Sequence, residues 1–203
     1  MASFEKVAID IIGPLPKSSN GNKYALVVVD YFSKWSMVNP LLNQRATTIA
    51  ASLPTEVVNR QSVPLELHFD QGRSFKSAAF KELVQIIGIK KTRTTSLHPQ
   101  SNGLVERLIR TLLQYLSLYI ADNQKNLDQW IPLLLLEYRS YRHEITQNTS
   151  PAVLMGHELR LPLHLQRGPT PTTSRTRPLG KRLEEIHKLV RRRMHICSDR
   201  LKS

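Results

Sequence analysis

The 203-residue sequence contains a single cysteine, Cys197, and no long hydrophobic run. One cysteine excludes a disulfide framework and any zinc site that needs two or more cysteine ligands. The longest apolar run, residues 131–136, is far shorter than the ~18 residues that a transmembrane helix needs. The first apolar run, residues 7–12, is too short for a signal peptide and contains Asp10. These absences predict a soluble, intracellular protein that is neither secreted nor inserted in a membrane.

Acidic residues are scarce, because 16 Asp and Glu stand against 29 Lys and Arg, which gives a formal net charge of +13. Such an excess of positive charge attracts polyanions, which are either nucleic acids or anionic membrane surfaces. The charge is uneven: residues 166–203 contain eleven Lys or Arg and three Asp or Glu, a net charge of +8. Composition alone leaves both kinds of partner open.

A change in composition near residue 165 predicts the domain organisation. Residues 168–174 consist of Gly, Pro, Thr and Ser, which is typical of linkers. We therefore expect a folded domain over residues 1–165, a linker over 166–178 and a basic amphipathic helix over 179–203. The apolar positions of that helix are Leu183, Ile186, Leu189, Val190 and Met194. We expect the helix to be separable from the folded domain.

Segments rich in β-branched and apolar residues alternate with segments of helical periodicity. The predicted strands cover residues 6–12, 23–31, 36–41, 65–69 and 89–94. The predicted helices in the folded domain cover residues 45–60, 77–87, 101–122 and 127–143. The short turns between the first three strands make that part of the sheet antiparallel. The pattern as a whole predicts an α/β sheet with helices on both faces.

Three acidic residues, Asp10, Asp70 and Glu106, stand in or at the ends of these elements. If the first and fourth strands are neighbours, Asp10 and Asp70 lie close together. Converging carboxylates repel each other unless a cation lies between them, and oxygen-only ligands favour Mg²⁺ or Mn²⁺. Two such ions can hold the attacking and leaving oxygens of a phosphodiester displacement. Asp30 fits the pattern almost equally well, and a solvated acid at a strand end is the competing interpretation.

Longer motifs surround these acids. They are VAIDIIGPLP over residues 7–16, YALVVVDYFSKW over 24–35, HFDQGRSF over 68–75 and HPQSNGLVER over 98–107. Together they resemble the catalytic core of retroelement integrases, in particular the Ty3/gypsy class of long-terminal-repeat retrotransposons. The 35 residues between Asp70 and Glu106 match the D,D-35-E pattern of that family. The resemblance covers about residues 4–200.

This resemblance implies a ribonuclease-H-like fold, in which a five-stranded mixed sheet is flanked by helices. It implies that Asp10, Asp70 and Glu106 are catalytic and bind two Mg²⁺ or Mn²⁺ ions. The family trims the ends of the element's DNA with water and then uses the new 3′-hydroxyl to attack target DNA. The implied function is therefore that of an integrase-type polynucleotidyl transferase acting in DNA integration.

The resemblance also implies DNA partners, namely the element ends and the target, together with a homo-oligomer and a nuclear, otherwise cytoplasmic, location. The expected nucleic-acid contacts are Lys90, Lys91, Gln100, Asn102, Arg107 and Arg110. For Lys90 and Lys91 a solvated surface competes evenly with phosphate contact, because neighbouring strand residues point to opposite faces. No membrane partner is expected, since residues 179–198 lack the Trp and Phe anchors of interfacial helices.

A second hypothesis is a catalytically decayed or host-adopted protein that binds nucleic acid without cleaving it. Ile109 stands where the family usually has a polar residue, and Phe69 stands where Ser is usual. These substitutions favour the binding protein, whereas the complete set of three acids favours the enzyme. With one cysteine the chain also cannot contain the family's zinc-binding domain, which needs two His and two Cys.

Overall fold

The structure is a computed structural model that describes residues 1–69, 75, 77–93, 109–111, 114, 127–162 and 178–200. Its centre is a five-stranded sheet with the strand order β3-β2-β1-β4-β5. The strands are β1 (Lys6–Ile12), β2 (Tyr24–Asp30), β3 (Ser36–Leu41), β4 (Glu66–Phe69) and β5 (Lys90–Arg93). β1 to β3 pair antiparallel, whereas β1, β4 and β5 run parallel. The predicted α/β class with a mixed sheet is confirmed.

The described helices are α1 (Ala46–Leu53), α2 (Asn59–Gln61), α3 (Ala78–Ile86), α4 (Leu127–Ser140), α5 (Ser150–Met155) and α6 (Leu179–Arg200). A π-helical turn, Pro54–Val58, joins α1 to α2, so the single helix predicted over residues 45–60 is interrupted. Pro54 has no N–H, and the Asn59 N–H donates to the Pro54 carbonyl, five residues back. Residues 109–111 and 114 are helical, in agreement with the helix predicted there.

Two buried clusters cover the two faces of the sheet. One combines Ala8, Ile12 and Val27 of the sheet with Ile131 and Leu134 of α4, and we call this side of the sheet the α4 face. The other combines apolar residues of β1, β2 and β4 with α1 and α3. β2 lies between these layers and is buried on both sides, which fits its uninterrupted apolar sequence.

Helix α5 was absent from the sequence prediction, although its boundary signals are all in the chain. The Thr149 hydroxyl accepts a hydrogen bond from the Ala152 N–H at 3.2 Å, and Pro151 occupies the first turn. Gly156 ends the helix with φ at +76°. The helix was missed because six residues are too few to show a 3.6-residue period.

Helix α6 packs on the folded domain, so the expectation of a separable helix is wrong. Val190 is completely buried in a cluster with Phe32 and Val153, and Ile186 and Met194 pack against that cluster. The His187 ring bonds through Nε2 to the Val153 carbonyl at 2.8 Å. Linker composition predicts a break in the chain path, but it carries no information on where the following helix docks.

Several predictions fall outside the described residues. Except for Pro178, the predicted linker at 166–178 lies there, and the boundary at residue 165 therefore stays a prediction.

No described helix is long and apolar enough to cross a membrane.

Candidate active site

Asp10 lies near the C-terminal end of β1, opposite Val27 of β2. Side chains alternate along a strand, and Ala8 and Ile12 belong to the buried cluster on the α4 face. Asp10 therefore points to that face, where it is only partly buried. Its Oδ1 accepts a hydrogen bond from the Ile11 N–H at 2.7 Å, which fixes the orientation of the carboxylate.

The first and fourth strands are neighbours, as the active-site hypothesis required. β4 pairs parallel with β1, and the last pair in this register is Ile9 with Phe69. Asp70, the next residue in the sequence, lies outside the described residues. Phe69 is buried and packs against the rings of Phe75 and Phe80, at 5.3 and 5.6 Å. This packing explains the phenylalanine at a position where the family usually has Ser.

The helical residue Ile109 belongs to the same buried cluster as Ala8 and Ile12, and only 8% of its surface is exposed. A polar side chain at this position would lie in an apolar layer, so the isoleucine has a packing role. The observation that favoured a decayed protein thus has a structural cause. Arg110, an expected nucleic-acid contact, is exposed next to it. Glu106, three residues before Ile109, lies outside the described residues.

Asp30, the competing acid, is fully engaged in the turn after β2. It accepts hydrogen bonds from the N–H groups of Phe4, Phe32 and Ser33 and from the Ser33 hydroxyl, at 2.5 to 3.4 Å. Burial raises the pKa of Asp30, and these hydrogen bonds oppose that shift. Four donors on one buried carboxylate indicate a structural role and leave little capacity for a metal ion.

The structure does not bring Lys90 to Asp10. Lys90 is level with Glu66 and Lys6 at the start of the parallel strands, four residues and about 13 Å along the sheet from Asp10. It is 74% exposed, and its Nζ lies 3.5 Å from the Glu66 carboxylate. Of Lys91 only the backbone is described. The other expected contacts, Gln100, Asn102 and Arg107, lie outside the described residues.

One positioning contact escaped the sequence analysis. Oδ2 of Asp128, in the first turn of α4, accepts hydrogen bonds from Ser18, Asn20 and Asn22, at 2.7, 2.9 and 3.0 Å. These bonds hold the loop that follows β1 against α4. The run of Ser and Asn over residues 18–22 indicates a turn, but nothing in the sequence links it to Asp128, more than 100 residues later.

No group of three His, Cys, Asp or Glu side chains that could hold a metal ion occurs within the described ranges, which omit Asp70 and Glu106. The structure therefore places one of the three predicted catalytic acids. It also shows the strand pairing and the helix packing around that acid.

Comparison with known proteins supports the assignment from sequence. Residues 2–99 match the model of the integrase core domain. The chain is 28% identical over 165 residues to a retrovirus-related Pol polyprotein from transposon 412 of Drosophila melanogaster, covering 81% of this chain and 13% of that polyprotein. It is 30% identical over 159 residues to the Pro-Pol polyprotein of simian foamy virus type 3 (strain LK3), covering 78% and 14%. The chain thus spans a small part of the polyproteins it matches.

Solved structures share the fold. The catalytic core domain of BIV integrase superimposes with a TM-score of 0.60 at 23% identity, covering 81% of this chain and 99% of that one. The catalytic core domain of HTLV-2 integrase, solved in complex with magnesium in a trimeric form, gives 0.58 at 23% identity, covering 74% and 95%. The motifs, the strand order and these matches agree, and the chain belongs to the integrase core family of retroviruses and retrotransposons.

Proposed function

We propose that this chain is the catalytic core of an integrase-type polynucleotidyl transferase that acts on DNA. The observation that carries the proposal is the position of Asp10. This carboxylate lies on β1 directly beside the end of β4, on the sheet face against which Ile109 packs.

Convergence of Asp70 and Glu106 on this point is part of the proposal, and two observations on their described neighbours support it. Consecutive Cα atoms are ~3.8 Å apart, so Asp70 has to follow closely the Phe69 that pairs with Ile9. Residues three apart on a helix share one face. If the helix of Ile109 continues back by one turn, Glu106 lies on the side that faces Asp10. We therefore expect the three carboxylates to converge.

The donor set fits a divalent ion of the Mg²⁺ class. Asp10, Asp70 and Glu106 would hold it through carboxylate oxygens, which such hard cations prefer over nitrogen or sulfur ligands. When bound, the ions would activate the attacking oxygen and neutralise charge on the phosphate that reacts. Two ions and the choice between Mg²⁺ and Mn²⁺ belong to this proposal.

The protein's own part is orientation. The Ile11 N–H aims the Asp10 carboxylate, the aromatic packing of Phe69 holds the end of β4, and Asp128 fixes the loop after β1. Precise placement of reacting groups accounts for much of the acceleration in reactions of this kind. The substrates would be element ends and target DNA, the working form a homo-oligomer, and the place of action the nucleus.

The test is Mg²⁺- or Mn²⁺-dependent disintegration of a branched DNA substrate. Asp10→Asn, Asp70→Asn and Glu106→Gln should each reduce the rate by at least about a hundredfold, given the several kcal/mol that metal-assisted catalysis contributes. Glu66→Gln is the matched control, because it removes one carboxylate at the opposite end of β4. Full activity in Asp10→Asn, or equal losses in Glu66→Gln, would show that the assignment is wrong.

The alternative is a protein that binds DNA without cleaving it. In that case the unmodified chain would bind DNA but would give no metal-dependent product. Substitution of a catalytic acid should abolish catalysis and leave DNA binding intact. Asp70→Asn removes a negative charge beside the expected phosphate, so its DNA affinity should be equal or higher.

A further inference from the structure

Four cations lie close together on α6, and we call them the α6 basic surface: Lys188, Arg191, Arg192 and Arg193. The ion pairs found among the described residues involve none of them. Lys188 and Arg192 are exposed and one helical turn apart, so they repel each other at a cost of about 0.2–0.5 kcal/mol. The helix dipole favours cations only in the last turn of α6, and these two residues lie before that turn. The contacts that hold Arg191 and Arg193 go to uncharged groups, so they leave the positive charge of this surface unneutralised.

The helix that carries this surface is docked, and two of its four cations are held by contacts with the rest of the fold. Arg193 donates through Nη1 to the Thr146 carbonyl at 2.7 Å. The Arg191 guanidinium lies 5.8 Å from the centre of the Phe32 ring. Val190, which precedes Arg191, is completely buried. A fixed array of cations loses less side-chain entropy on binding than a mobile one.

The α6 basic surface lies away from Asp10. Helix α6 docks on Phe32, in the turn that follows β2. Asp10 is opposite Val27, and β2 continues for three more residues, about 10 Å, before that turn begins. A phosphate bound on the outer side of α6 is therefore separated from the Asp10 carboxylate by more than that distance.

We propose that the α6 basic surface is a second phosphate-binding surface, which holds a nucleic-acid duplex at a point remote from the catalytic acids. The partner is a duplex rather than a membrane, because residues 179–200 contain no Trp, Tyr or Phe that would anchor the helix in lipid. That the duplex is DNA rests on the proposed function. That the surface binds phosphate rests only on the cations of α6.

The test compares two double variants that each remove two exposed positive charges. Lys188→Gln/Arg192→Gln changes the α6 basic surface, and Arg45→Gln/Lys81→Gln changes the side of the sheet covered by α1 and α3. The affinity for a labelled duplex of about 30 base pairs, some 100 Å long, is measured by fluorescence anisotropy in EDTA over a series of salt concentrations.

Each lost phosphate contact lowers the slope of log K against log salt by about 0.9. The α6 variant should therefore lose about 1–2 units of slope, and the control should lose much less. Equal losses would show that only net charge matters and would overturn the proposal. So would a larger loss of affinity for anionic phosphatidylserine vesicles than for the duplex, since the surface would then bind membranes.

Catalysis supplies an independent readout. At saturating branched DNA, the α6 variant should turn over within about twofold of the unmodified chain, because its cations are remote from Asp10. A lower rate with unchanged affinity would place these residues at the reacting phosphate instead. Loss of the proposed function would appear separately, as normal duplex binding with no metal-dependent product.

Discussion

Truncation of Val190 tests whether α6 is an integral part of the fold. The side chain is completely buried against Phe32 and Val153, whereas its neighbour Leu189 is 50% exposed. Val190→Ala removes two methyl groups, worth about 0.8 kcal/mol each in transfer, and leaves a cavity that adds to this loss. Alanine is the better helix former by about 0.5 kcal/mol, which offsets part of the loss. The net destabilisation should be about 2 kcal/mol.

For a chain of this length, 1 kcal/mol corresponds to a change of about 2–4 °C in Tm. Val190→Ala should therefore lower Tm by roughly 4–8 °C, measured by circular dichroism or differential scanning fluorimetry. Leu189→Ala is the matched control. It removes more carbon atoms from the same turn of the helix, but from a half-exposed position, so its effect should stay below about 1 kcal/mol.

A helix detached from the domain would give a different pattern. Val190→Ala would then leave Tm unchanged, because the residue would be solvated in both states. Hydrogen exchange on a verified monomer provides a second measurement, since docking predicts protection of α6 amides comparable to that of α5. Equal effects of the two substitutions, or exchange in α6 as fast as in an isolated helix, would refute the docking described here.

Three further predictions concern single residues. Ile109→Asn, which introduces the kind of residue usual in the family, should lower stability by about 2–4 kcal/mol, because it buries an amide in the apolar layer; an unchanged urea midpoint would contradict that role. Gly156→Ala should destabilise the contact between α5 and α6, because φ is +76° and a Cβ would lie 2.7 Å from a Leu179 methyl. Gly88→Ala is the control, because Gly88 has the same φ but open space around the added Cβ. Burial lowers the pKa of Lys34 to about 8, so the unfolded chain binds more protons and stability should rise by about 2–3 kcal/mol between pH 8 and 10. Lys34→Met should abolish that rise in denaturant titrations.

The strands could be predicted because their signals are local. The bounds of β1 and β3 agree with the sequence prediction, and β1 is a short apolar run that ends at the turn residues Gly13 and Pro14. The active-site hypothesis required β1 and β4 to be neighbours, and the parallel pairing of these two strands meets that requirement. The strand bounds depend on residues within about ten positions of each strand, whereas the pairing of β1 with β4 joins motifs that are 60 residues apart.

The contacts that the sequence did not reveal join distant parts of the chain. Val190 packs on Phe32, more than 150 residues earlier, and the Arg139 guanidinium donates to the Ser36 carbonyl at 2.5 Å. Neither pairing leaves a period or a spacing in the sequence. The basic composition of α6 was visible, but its apolar positions could have been covered by the domain, a second subunit or another domain. The structure shows that the buried position Val190 packs against Phe32 and Val153 of the folded domain.

The turn after β2 shows why motif similarity alone does not identify catalytic residues. Asp10 and Asp30 both lie in motifs that resemble the integrase core, and both stand in or at the end of an apolar strand. Asp30 is completely buried and accepts four hydrogen bonds, and the turn that it organises contains Phe32 and the buried Lys34. Asp10 is partly exposed beside the end of β4. The two acids therefore differ in their surroundings: Asp30 is buried in the turn that it organises, whereas Asp10 stays accessible for the chemistry proposed above.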